Sequence, residues 1–209
     1  MTILALEFSS AQRSVAVVRG DTVAEAVEAG GRCTAAFGMI ERVLDSAGIG
    51  RGGIDVIAIG LGPGSYTGIR SAIAIAQGWQ LARGNGLVGV SSAEAIAMRA
   101  QAGGIEGQVQ VVIDAQRGEI YHAGYELSKT AVREVTPLRI IAPTSLSSDG
   151  TVVGPEATRW FPAAKIIFPG ATLIARLAAD RTRSIAGVIE PIYLRETSFV
   201  KAPPPRQLD

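Results

Sequence analysis

The chain has 209 residues and a mass of 21.7 kDa, of which 47% are apolar and 19% charged. This composition excludes an intrinsically disordered chain and supplies the core of one large domain or two small ones. Twenty basic and nineteen acidic residues leave a formal charge of +1. The overall charge therefore does not indicate a protein that binds nucleic acid or an anionic membrane surface, although these totals are compatible with a local basic patch.

The distribution of charges argues against membrane insertion and secretion. The longest uncharged stretch, Val56–Ile69, has fourteen residues and contains glycine and proline, whereas a membrane-spanning helix needs about 20 apolar residues. The opening residues Met1–Glu7 carry neither a basic leader nor a secretory cleavage site. We therefore expect a cytoplasmic protein.

Two scarce residue types exclude several classes of enzyme. Cys33 is the one cysteine, so the chain forms no intrachain disulfide and no thiolate metal cluster. His122 is the one histidine, which excludes every zinc motif that needs two. No GxSxG nucleophile elbow accompanies it, so a serine hydrolase lacks its usual machinery.

The first half of the chain alternates strand and helix patterns in the order expected of a mixed α/β sheet. Gly48 follows the first helix as a C′ residue, and Ser91 or Ser92 precedes the third as its cap. The expected strands are Ile3–Leu6, Ser14–Val18, Thr22–Ala29, Asp55–Ile59 and Leu87–Val90, and the expected helices are Thr34–Ala47, Gly68–Arg83 and Ala93–Ala102.

The second predicted helix is apolar on two faces, which is typical of a helix that is buried on two sides or covered by a partner. One face carries Ile69, Ala72, Ile73, Ala76 and Gln80, and the other carries Ile75, Trp79 and Ala82.

A glycine-rich stretch, Gly103–Gly107, is the best candidate linker, and beyond it the strand pattern begins again. We therefore expect two subdomains, 1–104 and 105–209, with the C-terminal part packing back on the first. The proline-rich end, 202–209, is not expected to be helical. The second half predicts strands Gln108–Asp114, Glu119–Leu127, Val132–Ala142, Thr151–Val153 and Lys165–Ile167, and a helix Thr172–Arg181.

Four motifs stand out, and each alone has a plain structural interpretation. The stretch Gly60–Arg70 joins a strand to a helix, where backbone amides can hold an anion, but it is neither a Walker loop nor GxGxxG. The spacing alone favours a turn that brings strand and helix together, and it does not exclude an anion site. The others are a serine-containing strand end at Leu6–Ser10, a turn at Asp114–Tyr121 and the segment Glu190–Arg195.

Taken together and in order, these motifs resemble the bacterial TsaB family, also known as YeaZ. The string Gly62-Pro-Gly-Ser-Tyr-Thr-Gly-Ile-Arg70 is the most specific element of a likeness that spans almost the whole chain. The resemblance implies an actin-like ATPase (ASKHA) fold with two related subdomains, each a mixed sheet flanked by helices. It also implies a role in making threonylcarbamoyladenosine at position 37 of tRNAs that read codons beginning with adenine.

Within that pathway the resemblance implies a non-catalytic subunit that pairs with TsaD, is joined by the small ATPase TsaE, and meets tRNA through the complex. It implies no catalytic residue, no metal and no required cofactor, with weak ATP or ADP binding compatible with the fold. The residues implied to face a nucleotide or phosphate are Glu7, Ser9, Ser10, Asp114, Arg117 and Gly118. Those of the loop motif are Gly62, Pro63, Gly64, Ser65, Tyr66, Thr67, Gly68 and Arg70.

The chain departs from the family pattern at two places. The acid at the end of the first strand is Glu7 instead of aspartate, and Cys33-Thr34 replaces a histidine-serine pair that often opens the first long helix. Both departures weaken a catalytic interpretation, although Thr34 still serves as a helix cap.

The alternative function is an active ATPase or phosphotransferase of the same fold. A peptidase lacks both metal ligands and a nucleophile elbow.

The two long helices of the first half predict a partner interface. If both pack on one sheet, their outer ridges form an apolar patch that a second helix pair covers, from TsaD or from a second copy of this chain in a homodimer. We expect Ala76→Glu or Ala72→Arg to abolish this pairing while the monomer stays folded. The alternative is that the third helix covers Ile75 and Trp79. The residues predicted for the interface are Phe37, Ile40, Ala72, Ile75, Ala76 and Trp79.

Overall fold

The computed structural model describes residues 1–29, 35–147, 149–181 and 189–195. The predicted order of strands and helices is confirmed, with bounds that shift by two residues at most. The strands are β1 (Thr2–Glu7), β2 (Gln12–Arg19), β3 (Thr22–Ala29), β4 (Val56–Gly60), β5 (Gly86–Val90), β6 (Gly107–Asp114), β7 (Ile120–Leu127), β8 (Val132–Ile141), β9 (Thr151–Gly154) and β10 (Lys165–Ile166). The helices are α1 (Ala36–Ala47), α2 (Tyr66–Arg83), α3 (Ser92–Ala102) and α4 (Ala171–Arg181).

The ten strands form two sheets with the same plan. The first sheet has the order β3-β2-β1-β4-β5, and the second has the corresponding order β8-β7-β6-β9-β10. In each sheet, the three strands that come first in sequence pair antiparallel with one another, and the two that follow them pair in parallel. This repeated mixed sheet confirms the fold class, that of the actin-like ATPases, although no repeat is visible in the residues themselves.

Two helices cross from one half of the chain to the other. α3 follows β5, yet its buried side chains, such as Ile96, pack on the second sheet against Val111. α4 follows β10, yet Ile174 packs on the first sheet among Ile3 and Ala5. Each sheet is therefore completed by a helix from the opposite half. Between these two helices, Nη2 of Arg181 donates to both carboxylate oxygens of Glu94 (2.6 Å each).

α1 and α2 cover the other face of the first sheet, where their buried residues pack with Leu4, Phe8 and Ile57. At the corresponding places in the second half, the described residues form only short 3-10 turns, Pro143–Ser145 and Ala157–Arg159. Within the part of the chain that the structure describes, the two sheets are thus covered differently: the first carries a pair of long outer helices and the second does not. No helix in the described part of the chain is long and apolar enough to cross a membrane.

The predicted helix caps are confirmed in part. Gly48 ends α1 in the left-handed conformation (φ 63°), as expected of a C′ glycine. Ser91 occupies the N-cap position of α3 without a side-chain cap bond, and the neighbouring Ser92 hydroxyl is used elsewhere. The predicted cap Thr34, its neighbour Cys33 and the proline-rich end 202–209 lie outside the described residues.

Candidate functional site

A cavity of about 580 Å³ lies between the two sheets, beside the ends of β1 and β6. In sheets with parallel strands, this is where ligand sites form, because loops that follow neighbouring strands converge there. All four sequence motifs meet at its wall. Its lining includes Ser9, Ser10, Ser65, Tyr66, Asp114, Gln116, Tyr121, Glu156, Ile192 and Tyr193.

The glycine-rich loop uses three of its backbone amides within the protein. The Ser65 N–H donates to the Ser9 carbonyl oxygen (2.6 Å), the Gly68 N–H to the Ser65 hydroxyl (3.3 Å), and the Gly62 N–H to the Ser92 hydroxyl (3.2 Å). Amides that are already bonded are not available to cradle a phosphate. This geometry favours the interpretation of the loop as a turn that locks strand and helix together.

Close backbone packing explains why the loop carries glycine. A Cβ at Gly64 would overlap the Ser9 carbonyl oxygen, and one at Gly68 would overlap the Phe8 carbonyl oxygen. Gly64 also has a φ of 148°, which residues with a Cβ rarely adopt. The loop and the end of β1, which the sequence presents as separate motifs, therefore form one packed unit.

Glu7 lies behind the cavity wall and not in it. Its side chain is fully buried, and its two carboxylate oxygens accept hydrogen bonds from the Ser9 backbone N–H (2.7 Å) and the Ser92 hydroxyl (2.7 Å). A Cβ on Gly60 would overlap this carboxylate. Burial raises the pKa of Glu7 above its ordinary value, and the bonds from Ser9 and Ser92 oppose this rise in part. The structure therefore does not bring Glu7 to face a ligand in the cavity.

The raised pKa of Glu7 predicts a pH-dependent stability that Glu7→Gln removes. The folded protein holds the Glu7 proton more tightly than the unfolded chain, so the free energy of unfolding falls as the pH rises from the ordinary value of 4.5 towards the raised folded pKa. The glutamine side chain keeps an oxygen that accepts from the Ser9 N–H, and it does not ionise. We expect the stability of the variant relative to wild type to increase across this window, by about 1.4 kcal/mol per unit of pKa difference.

Urea titrations at several pH values between about 4 and 8 measure this difference. Identical pH slopes in the two proteins would contradict the assignment of Glu7 as a buried acid of raised pKa.

The turn after β6 is held by Asp114. One of its carboxylate oxygens accepts from the Gln116 N–H (2.7 Å), and the other pairs with Arg159 (2.7 Å). Gln116 and Arg117 both have positive φ values, 63° and 58°, and Gly118 follows at 78°. Two non-glycine residues in this conformation make the turn tightly constrained. Asp114 lines the cavity, whereas Arg117 and Gly118 are outside the lining set.

Glu156 is a cavity residue that the sequence motifs did not reveal. It follows β9 and Pro155, and one of its carboxylate oxygens is buried without a hydrogen-bond partner. Burial raises the pKa of Glu156, and the nearby negative charge of Asp114 adds to the rise. No local pattern marks this glutamate, because only the folding of β9 beside β6 places it next to Asp114.

His122 takes a structural place on β7. It is buried, and its Nε2 lies 2.7 Å from the side-chain oxygen of Gln110. Burial, and after it the charge of Arg139, lowers the pKa of His122. Among the described residues, no group of three or more His, Cys, Asp or Glu side chains is arranged to hold a metal ion.

The C-terminal segment 189–195 spans the cavity region. The Ile192 N–H donates to the Leu61 carbonyl oxygen (2.9 Å), next to the glycine-rich loop. Arg195 donates to the Ala115 carbonyl oxygen (3.1 Å) and pairs with Glu119 (2.7 Å) in the turn after β6. The fourth motif therefore ties the loop before α2 to the β6–β7 turn.

A second concave surface, which we call the α1–α2 groove, lies on the outer side of the first sheet. It has a volume of about 470 Å³ and is lined by Phe37, Glu41, Arg51, Ala74, Ile75, Gly78, Trp79, Ala82 and Arg83. Phe37 is 64% exposed, and α3 packs on the second sheet instead of covering this groove. Large apolar surfaces with charged rims are typical of contacts with another protein.

Three of the six residues predicted for the interface do not lie in this groove. Ile40, Ala72 and Ala76 are buried against the first sheet, each with at most 1% of its surface exposed. The helix period places these residues on the core face, while Ile75 and Trp79 lie on the groove face with Phe37 beside them. The predicted second apolar face of α2, formed by Ile75, Trp79 and Ala82, lines the groove, and the small residues Ala74 and Gly78 line it beside them.

Comparison with family models gives a match over residues 34–191 to the family described as TsaD, tRNA N6-adenosine threonylcarbamoyltransferase. This match covers more than half of the chain.

Several individual relatives carry the name TsaB. The chain is 33% identical over 134 residues to the tRNA threonylcarbamoyladenosine biosynthesis protein TsaB of Escherichia coli, a match that covers 63% of this chain and 58% of that protein's length. It is 28% identical to the TsaB of Haemophilus influenzae, where the match covers 97% of this chain and 98% of the relative. In the first of these matches, the chain thus spans less than two thirds of its relative.

Solved structures show the same likeness. A crystal structure from Pseudomonas aeruginosa, described as similar to peptidase YEAZ, superimposes with a TM-score of 0.82 at 28% identity, covering 93% of this chain and 99% of that one. A structure described as YeaZ from the same organism gives a TM-score of 0.82 at 26% identity.

Proposed function

The chain belongs to the TsaB (YeaZ) group of the TsaD-type family, and from this premise we propose that it acts in the biosynthesis of threonylcarbamoyladenosine in tRNA as a non-catalytic subunit that pairs with TsaD. In this proposal TsaE joins the pair, and tRNA is bound by the assembled complex. The modified position is 37, in tRNAs that read codons beginning with adenine.

The α1–α2 groove is the observation that carries the proposed pairing. Phe37 projects into solvent, and Ile75 and Trp79 are only partly covered, although they pack on the core from its edge. Ala74 and Gly78 present almost no side chain, so another helix can approach α2 closely. A helix pair of TsaD fits this surface because the two proteins share a fold, and a second copy of this chain occupies it when TsaD is absent.

The state of the cavity between the sheets supports a subunit without its own catalysis. Glu7 is withdrawn behind the wall, and the amides of Gly62, Ser65 and Gly68 are bonded internally. The cavity lining holds two acidic residues, Asp114 and Glu156, against one basic residue, Arg13, and so has no excess of positive charge for a polyphosphate. We therefore propose that the subunit requires no nucleotide cofactor.

A charge placed in the groove tests the proposal. Gly78→Arg adds a cation at a helix position with open space around the Cβ, so the fold tolerates it. We expect this variant to bind TsaD at least about 100-fold more weakly, since the buried guanidinium lacks a partner. Co-elution with TsaD from the same organism, followed by titration, measures the loss.

Gln77→Arg is the matched control, because Gln77 is exposed on α2 and lies outside the groove. This variant is expected to pair as the wild type does. Wild-type affinity of a folded Gly78→Arg variant for TsaD would overturn the assignment of the groove, and a wild-type chain that never associates with TsaD would overturn the proposed function.

A further inference from the structure

Two tyrosines and an arginine form an exposed cluster at the rim of the cavity between the sheets, which we call the tyrosine platform. The ring centroids of Tyr66 and Tyr193 are 5.9 Å apart, with 31° between the ring planes. The guanidinium carbon of Arg70 lies 5.1 Å from the centroid of Tyr66. The chain brings these residues together from positions 66 and 193, and none of the contacts described so far requires aromatic side chains there.

The platform is exposed and firmly anchored at the same time. Tyr66 is 60% exposed and Tyr193 is 53% exposed, so each keeps ring surface in contact with solvent. Tyr66 is the first residue of α2, directly after Ser65, whose N–H is bonded to the end of β1. Tyr193 lies between Ile192 and Arg195, both of which are hydrogen-bonded to the body of the protein. A rigid exposed aromatic pair is pre-organised to bind a flat ligand.

Two neighbouring aromatic rings beside an arginine match the chemistry that binds a nucleobase. Unpaired bases stack on aromatic side chains and on guanidinium planes, and a nearby cation binds the phosphate that follows the base. Arg70 is charged at any physiological pH, as arginine side chains are, and hydrogen bonding to Tyr193 raises its pKa further. Arg70 is exposed and takes part in none of the ion pairs found in the described residues.

The surroundings of the platform favour a base within a strand over a free nucleotide. Behind the rings, the charged residues that line the cavity are two acids, Asp114 and Glu156, and one base, Arg13, so the lining has no excess of positive charge to hold a polyphosphate. In an RNA strand the sugar and phosphates run past the rim, outside the cavity, where Arg70 lies. We propose that an unpaired base of RNA stacks on Tyr66 and Tyr193 with its phosphate beside Arg70. This inference rests on the proposed function and deepens it by naming residues of this subunit that contact the tRNA.

Binding of a fluorescent RNA hairpin with an unpaired, adenosine-containing loop tests the inference. The full chain is used in complex with TsaD and also alone, and affinity is read from fluorescence anisotropy at several salt concentrations. Tyr193→Leu and Tyr66→Leu remove stacking and are each expected to weaken binding about tenfold. Tyr193→Phe keeps the ring and is expected to bind within about twofold of wild type. Arg70→Gln is expected to reduce the salt slope by about one.

Arg133→Gln is the matched control for charge, because Arg133 is exposed on the edge strand β8 of the second sheet. It removes the same charge and is expected to leave affinity within about twofold. Three results would each overturn the inference. The first is wild-type affinity in both leucine variants, and the second is no binding of the hairpin by the wild-type complex. The third is displacement of the hairpin by ATP at micromolar concentration. Pairing with TsaD is measured on the same variants, and pairing that persists in any of these cases separates failure of the platform from failure of the proposed function.

Discussion

Ala76→Glu is expected to unfold the protein. Ala76 is fully buried between α2 and the first sheet, where it packs in the core that contains Leu4 and Ile57. A glutamate there overfills a packed core and buries a carboxylate without a partner, which costs about 4 kcal/mol or more. That is a large fraction of the stability of an ordinary domain, about 5–15 kcal/mol. Far-UV circular dichroism and a urea titration measure the loss.

Ala74→Glu is the matched control, two residues earlier on the same helix. Ala74 is exposed in the α1–α2 groove, so the substitution is expected to change the free energy of unfolding by no more than about 0.5 kcal/mol. The sequence expectation that Ala76→Glu or Ala72→Arg breaks pairing while the monomer stays folded is thereby corrected, because both alanines face the core. A soluble Ala76→Glu variant with wild-type stability would contradict this placement of the helix.

Gly68→Ala is expected to destabilise the protein by about 3 kcal/mol, although alanine is the better helix former. Gly68 lies in the first turn of α2, and a Cβ there would overlap the Phe8 carbonyl oxygen at the end of β1. To accept alanine, the helix must move away from the strand, and the bond between the Ser65 N–H and Ser9 lengthens with it. Urea titration reports the change.

Gly78→Ala is the comparison within the same helix. No atom lies within 4 Å of a Cβ at Gly78, so alanine there lowers the conformational entropy of the unfolded chain without strain. We expect a gain of about 0.5–1 kcal/mol. If Gly68→Ala and Gly78→Ala changed the free energy of unfolding equally, helix propensity, and not the close contact with β1, would decide the role of Gly68.

Local patterns in the sequence determined the elements of this protein. These patterns are strand and helix periods, glycines at turns and the absence of long uncharged stretches, and all of them depend on neighbouring residues. For that reason the sequence predicted the order of the elements, and their bounds to within two residues. The two apolar faces of α2 follow from the same period. The recurrence of strands after Gly103–Gly107 likewise indicated a second sheet, and the structure confirms it.

Contacts between distant parts of the chain were decided only by the tertiary structure. Which face of α2 meets the sheet depends on the direction in which the helix crosses it, so the period alone did not separate Ala76 from Ala74. Glu7 is turned inward by Ser92, which is 85 residues away, and Tyr66 meets Tyr193 across most of the chain. The exchange of α3 and α4 between the sheets has the same origin. Such pairings carry no local signal, because they arise from how completed elements pack and not from the residues beside them.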